Sequence, residues 1–160
     1  MYKLMLAVIW AAVVGAVPSL AAEAPRSIAG FTLGRPIESV AGRVIMETAL
    51  PVRYMENLHE VEILPTQGFK SGLVAFGTCR EPRSILRIKL KYEDGRIEFF
   101  EELLRQFKSR FGDPTEYQGD PFRVFISWKW SFSDAHANRI SLTLQHNAQD
   151  EEEKIGNAVK

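Results

Sequence analysis

Alternation of apolar and polar residues is the feature that most limits how this chain can fold. The segment Ser84–Tyr92 alternates in this way, with aliphatic residues on one side and cations on the other. The same period of two runs through Val124–Phe132 and Ile140–Gln145. Successive side chains of a strand point to opposite faces, so each segment predicts a strand with one buried and one polar side. Such strands form an antiparallel sheet with one covered face.

One long amphipathic helix is predicted to cover that face. The segment Arg96–Phe111 has apolar residues at the three-and-four spacing of a buried stripe. These residues are Ile97, Phe100, Leu103, Leu104, Phe107 and Phe111. Gly112 suits the left-handed residue that ends many helices, and Pro114 prevents the helix from continuing.

The preceding segments extend the sheet and add a short helix. Strands are predicted over Val44–Tyr54, Glu60–Leu64 and Leu73–Phe76, and Pro51 indicates that the first is an edge or interrupted strand. A short helix is predicted over Pro36–Val40. The expected fold class is therefore α+β: an antiparallel sheet of about five to six strands with one long helix packed on one face and a short N-terminal helix.

The first residues have the pattern of a secretory signal peptide. Lys3 precedes an apolar run, Leu4–Val17, and small residues follow a break at Pro18. Cleavage is expected after Ala21, so that residues 1–21 form the leader. The alternative is an uncleaved anchor, but the run is shorter than the roughly 20 apolar residues that span a bilayer. We therefore expect a periplasmic or secreted protein with no stable membrane anchor after cleavage.

The mature chain is predicted to be one domain with a loose segment at each end. Residues 22–30 are expected to form a connector, residues 31–146 a single folded domain and residues 147–160 an acidic tail. The tail loses its apolar periodicity, so we expect it to be mobile or only partly docked. Cys79 is the only cysteine, so no internal disulfide can form and stability depends on packing.

Composition and charge exclude several classes of function. The 160 residues are 46% hydrophobic and 25% charged, which is typical of an ordinary globular domain. Lysine plus arginine and aspartate plus glutamate each number 20, so no global field favours nucleic acid as a partner. The histidines are scattered, and no metal-ligand or phosphate-binding motif is present. No catalytic residue, metal or cofactor is predicted.

A row of cations on the polar side of the predicted sheet is the leading candidate binding site. The row consists of Arg87, Lys89, Lys91 and, from another strand, Lys129. Such a row would hold an anion, a polyanionic envelope polymer or an acidic partner surface. The alternative is that acidic side chains of a neighbouring strand neutralise it, and Glu60 and Glu62 have the matching period.

Two further candidates are an aromatic pair and a thiol. Trp128 and Trp130 would form a stacking platform for a sugar or peptide, unless they pack in the core with the other apolar residues of their strand. Cys79 lies near arginines that would favour thiol reactivity. A nucleophile also needs an orienting base, and the three histidines are distant in sequence, so a bystander thiol is the alternative.

The order of motifs resembles that of a family of small exported proteins of Gram-negative bacteria whose function is unknown. In that family a run such as Gly30–Gly34 opens the domain, a helix ends in a sequence such as Phe111–Pro114, and a tryptophan-bearing strand such as Ile126–Trp130 follows. The resemblance covers most of the mature chain and implies no catalytic residues. A fainter likeness, carried by Gly34–Val40, is to outer-membrane assembly lipoproteins, whose lipid-bearing cysteine after the leader has no counterpart here.

These patterns favour a non-enzymatic binding or interaction domain of the cell envelope. Its expected partner is an envelope protein or an acidic polymer, held by the cation row. One alternative is a small-ligand carrier with an apolar cavity near Trp128 and Trp130. Another is a thiol-dependent enzyme that uses Cys79. No pattern indicates an oligomeric state.

Overall fold

β-Strands are the dominant secondary structure of the part of the chain that the structure describes. This computed structural model describes residues 23–134, 136–150 and 154–160. The strands are β1 (Ser27–Ile28), β2 (Phe31–Thr32), β3 (Val44–Val52), β4 (Met55–Ile63), β5 (Phe69–Gly77), β6 (Ile85–Tyr92), β7 (Glu116–Tyr117), β8 (Phe125–Ser133), β9 (Arg139–Asn147) and β10 (Ile155–Val159). Helix α1 spans Ile97–Phe111, and a 3-10 helix spans Ile37–Arg43.

Eight of these strands form one antiparallel sheet. Their order is β3-β4-β5-β6-β10-β9-β8-β7, and β1 pairs with β2 in a separate two-stranded sheet. The strands β3 to β6 form one half of the large sheet, β7 to β9 form the other, and α1 lies between them in the chain. β10 comes last in the chain, yet it lies between β6 and β9 and pairs with both. This strand therefore joins the two halves.

This architecture shows that the predicted fold class is wrong. The sequence predicts an α+β domain with about five to six strands, whereas residues 23–134, 136–150 and 154–160 are mostly β, with an eight-stranded sheet, a two-stranded sheet and one α-helix of 15 residues. The predicted strands overlap β3, β4, β5, β6, β8 and β9. β7 has only two residues, and β10 contains glycine and asparagine, which are rare in strands. Neither strand has a periodic pattern long enough to be recognised.

The C-terminal tail also corrects an expectation. Residues 147–160 are expected to be mobile, but Ile155–Val159 lies in the middle of the sheet, and both of its end residues are only 1% exposed. Neighbouring strands supply backbone hydrogen bonds on both sides of it. These bonds and the burial of its apolar residues outweigh its weak intrinsic strand propensity. The acidic residues 151–153 lie outside the described residues.

Most apolar side chains of the large sheet lie on one face, where they form two clusters with the elements that cover it. The cluster shared with β2 and the 3-10 helix contains Phe31, Ile37, Val44, Val61, Ile63, Val74, Phe76, Ile85, Ile88 and Leu90. The cluster shared with α1 contains Phe100, Leu103, Trp130, Ile140, Leu142, Leu144, Ile155 and Val159. Val159 stands opposite both Ile88 and Leu142, so the two clusters adjoin on the same face. The opposite face carries mainly polar side chains and is called the polar face.

The two elements that flank the sheet agree in part with the sequence. The helix predicted over Arg96–Phe111 is present as Ile97–Phe111. The short N-terminal helix is a 3-10 helix interrupted by a non-helical residue, Val40. The connector expected over residues 22–30 takes part in the fold, because β1 pairs with β2 and Ile28 packs against both apolar clusters. The predicted leader, residues 1–21, lies outside the described residues.

Candidate functional site

The polar face of the large sheet carries the four cations of the predicted row. β6 places Arg87, Lys89 and Lys91 on this face, and Lys129 comes from β8. Strand pairing places Lys129 and Lys89 in one row across the sheet. Lys129 stands opposite Thr143 of β9, and the β10 residue that pairs with Thr143 also pairs with Lys89. Three strand spacings, about 14 Å, separate the two lysines. The cations are therefore spread across the sheet.

Arg87 is neutralised by an acid from β4. Its Nη2 lies 2.5 Å from Oε1 of Glu60, and both side chains are 23% exposed. In the strand register Ala75 of β5 stands between them. The small methyl group of alanine leaves room for the guanidinium to reach across β5. This pairing is the one that the alternative interpretation of the row predicts.

Lys129 is paired as well, with an acid that the sequence does not single out. Its Nζ lies 3.1 Å from Oε2 of Glu116, which β7 places directly opposite it. The hydrogen bond from Lys129 holds the pKa of Glu116 below its usual range. Glu116 therefore stays ionised, and Lys129 has its own counter-charge.

Lys89 and Glu62 do not pair, although the register would allow it. They flank Leu73 of β5 just as the Arg87–Glu60 ion pair flanks Ala75. Leucine has a larger side chain at this register position than alanine has between Arg87 and Glu60, and the cation is a lysine instead of an arginine. Within the described part of the chain, neither the Lys89 ammonium nor the Glu62 carboxylate has a hydrogen bond or an ion pair. Both side chains are exposed.

A groove of about 400 Å³ lies on the polar face beside Lys89. Its floor is formed by Gly156 and Ala158, the two outward residues of β10, which have almost no side chain. In register, Gly156 lies between Lys91 and Gln145. The other side chains that line the groove are Glu62, Ser71, Leu73 and Lys89. The groove crosses β9, β10, β6, β5 and β4, which is about 19 Å of sheet.

The two tryptophans lie on the opposite, helix-covered face. Trp130 is 1% exposed, and its ring packs edge-on against that of Phe107, with 5.8 Å between the ring centroids. Its Nε1–H donates a hydrogen bond of 2.8 Å to the carbonyl oxygen of Gly112. Trp128 is half-buried, and its ring centroid lies 4.7 Å from that of Tyr117. Both rings are packed against protein side chains. They therefore belong to a different surface from the cation row.

Cys79 lies in the loop between β5 and β6 and is exposed. Among the described residues no imidazole hydrogen-bonds to its thiol, and no three His, Cys, Asp or Glu side chains form a group that could hold a metal ion. The carboxylate of Asp134 accepts hydrogen bonds from the backbone N–H groups of His136 and Asn138 in the β8–β9 turn. It therefore stabilises the turn and does not orient a histidine ring. The described residues contain no assembled nucleophile and base.

Sequence reasoning does not single out the groove or the leucine that lies between two of its charges. Large and small residues alternate in Ile155–Val159, as expected of a strand with one buried and one nearly flat face, but five residues are too few for this alternation to predict a strand. The role of Leu73 has no signal along the chain, because it depends on which strands become its neighbours.

Among the described residues, no helix is long and apolar enough to cross a membrane. Comparison of the chain with protein-family models, with curated proteins and with solved structures returns no match.

Proposed function

We propose that this protein is a non-enzymatic binding domain of the cell envelope that holds an anionic group of its partner on the polar sheet face. The observation that carries the proposal is the state of Lys89: its side chain is exposed, has no counter-charge among the described residues, and lines the groove. Arg87 and Lys129 each have an acidic partner instead. An unpaired ammonium beside a groove is suited to a charge-assisted hydrogen bond with a carboxylate or phosphate.

Export is part of this proposal. It is supported by the pattern of residues 1–21 and by the resemblance to small exported proteins of Gram-negative bacteria. We expect the mature chain to begin at Ala22, which intact-mass measurement of protein recovered from the periplasmic fraction would determine. Recovery of the chain from the cytosol with Met1 intact would contradict the location.

Charge reversal at Lys89 tests the binding. Tagged wild-type protein and a Lys89→Glu variant would be used to capture partners from an envelope extract, with quantitative mass spectrometry for proteins and retention assays for acidic polymers. We expect the variant to lose the partners that the wild type retains, because the reversed charge repels their anionic groups. Arg87 is left intact, because its removal would leave Glu60 unpaired.

A matched control comes from the tip of the β3–β4 hairpin. Arg53→Glu makes the same change in net charge in the turn between these strands, away from the groove. This control should recover the same partners as the wild type. Equal recovery by Lys89→Glu and the wild type would end the proposal.

A further inference from the structure

Two neighbouring rows of side chains on the polar face carry the same charges around different central residues. The first row is Arg87–Ala75–Glu60, and the second is Lys89–Leu73–Glu62. The charges of the first row close into an ion pair of 2.5 Å. Those of the second row have no such contact within the described residues. The rows differ in the residue between the charges, a methyl group in one and an isobutyl group in the other, and in the cation, a guanidinium in one and an ammonium in the other.

The side chain of Leu73 therefore stands between two opposite charges that do not pair. The Cα atoms of Lys89 and Glu62 lie two strand spacings apart, about 10 Å, with the apolar side chain of Leu73 between them. All three side chains line the same groove. This part of the groove thus has a cationic side, an apolar middle and an anionic side.

The groove as a whole has the size and the polar groups of a small-molecule site. Its volume of about 400 Å³ lies at the lower end of the range of roughly 300–1,000 Å³ for such sites. Gln145 and Ser71 line it and have no side-chain hydrogen bond among the described residues. None of the described residues that line the groove is aromatic, so they offer a sugar no stacking platform.

We infer that the groove binds a short peptide with free termini, its carboxylate at Lys89, its ammonium at Glu62 and an apolar side chain on Leu73. The inference rests on the proposed function, since it uses the same Lys89 ammonium, and it names the class of ligand. A uniformly anionic polymer fits less well, because Glu62 repels it at one side of the groove.

Titration of the purified protein with small peptides tests this assignment. The probes are trialanine and Ala-Leu-Ala with free termini, and the same peptides acetylated at the N-terminus or amidated at the C-terminus. Binding would be followed by changes in the backbone amide NMR spectrum. We expect the free peptides to shift signals of β5, β6 and β10, and each cap to weaken binding about tenfold or more, because one charge-assisted hydrogen bond is lost.

Three variants separate the contributions of the site. Lys89→Gln and Glu62→Gln should each weaken binding of the free peptides about tenfold. In Lys89→Gln, amidation of the C-terminus should have no further effect, and in Glu62→Gln the same holds for acetylation of the N-terminus. Leu73→Ala retains every charge but places a methyl group between Lys89 and Glu62, as Ala75 does between Arg87 and Glu60, so the two charges should pair with each other and peptide binding should be lost. Arg53→Gln is the control and should bind like the wild type. If Leu73→Ala does not fold, the two exposed charge variants are sufficient.

The possible failures are distinguishable. Absence of any shift with free tripeptides at millimolar concentration would overturn the inference. So would binding of poly-γ-glutamate that depends on Lys89 and not on Glu62, which would leave the proposed function standing with a polyanion as partner. If Lys89→Glu retains every envelope partner, the proposed function itself is wrong.

Discussion

Three polar side chains interrupt the buried face of the sheet beneath helix α1. Asn157 donates its Nδ2–H to the hydroxyl of Tyr92 at 3.0 Å, and burial raises the pKa of Tyr92 to about 12. Nδ1 of His146 and Oδ1 of Asn157 are buried without a hydrogen-bond partner in the described part of the chain. Buried polar atoms without partners lower stability, so this group is a weak point of the core.

Acid should destabilise the protein through His146. Burial, together with the nearby charge of Lys154, lowers the pKa of His146 in the folded state. The unfolded chain has the ordinary value of about 6.5, so it takes up a proton at a higher pH than the folded chain does. The contribution of His146 to stability is complete above about pH 6.5 and is lost as the pH falls through its lower folded-state pKa. Urea unfolding at about pH 5 to 8 would measure this dependence.

Two histidine variants identify the source of that dependence. His146→Leu should flatten it, whereas His136→Gln, an exposed change in the β8–β9 turn, should leave it unchanged. A His146→Leu protein with the wild-type dependence would show that another group is responsible.

The two tryptophans should differ in their contribution to stability. Trp130→Ala should lower the free energy of unfolding by about 3–5 kcal/mol, because it removes a fully buried ring and its hydrogen bond to Gly112. Trp128→Ala should cost less, because that ring is half-buried. Chemical denaturation of both variants measures the difference, and equal losses would contradict the placement of the two rings.

At the scale of single elements, helix α1 was the most predictable part of the chain. Its apolar stripe and its end at Gly112 are both local patterns, and the helix found differs from the prediction by one residue at its start. Gly112 has a φ of 78° but a ψ of −171°, so it is not the left-handed helical residue that the sequence suggests. Only glycine adopts this conformation readily.

Substitution of Gly112 should therefore destabilise the helix end. A Cβ at this position would meet no atom within 4 Å, so the cost of Gly112→Ala is backbone strain alone, about 1–3 kcal/mol. Gly42→Ala is the matched control, because that site is equally open and its φ is not positive. Thermal unfolding of the two variants measures the cost, and equal stability would contradict the strain.

At the scale of the whole molecule, β10 joins the two halves of the large sheet into one continuous sheet. It pairs with β6 and β9, and its apolar residues Ile155 and Val159 are buried in the cluster beneath α1. The sequence assigns these residues to a mobile tail, since a five-residue segment after an acidic run has no recognisable periodicity. Its stability comes from pairing with β9, which precedes it, and with β6, which is distant in the chain.

Truncation of a side chain in β10 should therefore destabilise the whole protein. Ile155→Ala should cost about 2–5 kcal/mol, as expected for a fully buried isoleucine. Leu50→Ala in the edge strand β3, where the side chain is 68% exposed, should change stability by no more than about 0.5 kcal/mol. Urea midpoints compare the two, and a negligible effect of Ile155→Ala would mean that β10 does not support the sheet.

The sequence by itself determined helix α1 and the longer strands, and the face on which their side chains lie, because both follow from the spacing of residues along one strand or helix. It therefore placed Arg87, Lys89, Lys91 and Lys129 on the polar face. Only the tertiary structure decided the order of the strands, the insertion of β10 and the groove above it, since backbone hydrogen bonds accept almost any strand as a neighbour. For the same reason the sequence could not show that Arg87 is paired and Lys89 is not: the acid, and the residue between each cation and its acid, belong to other strands.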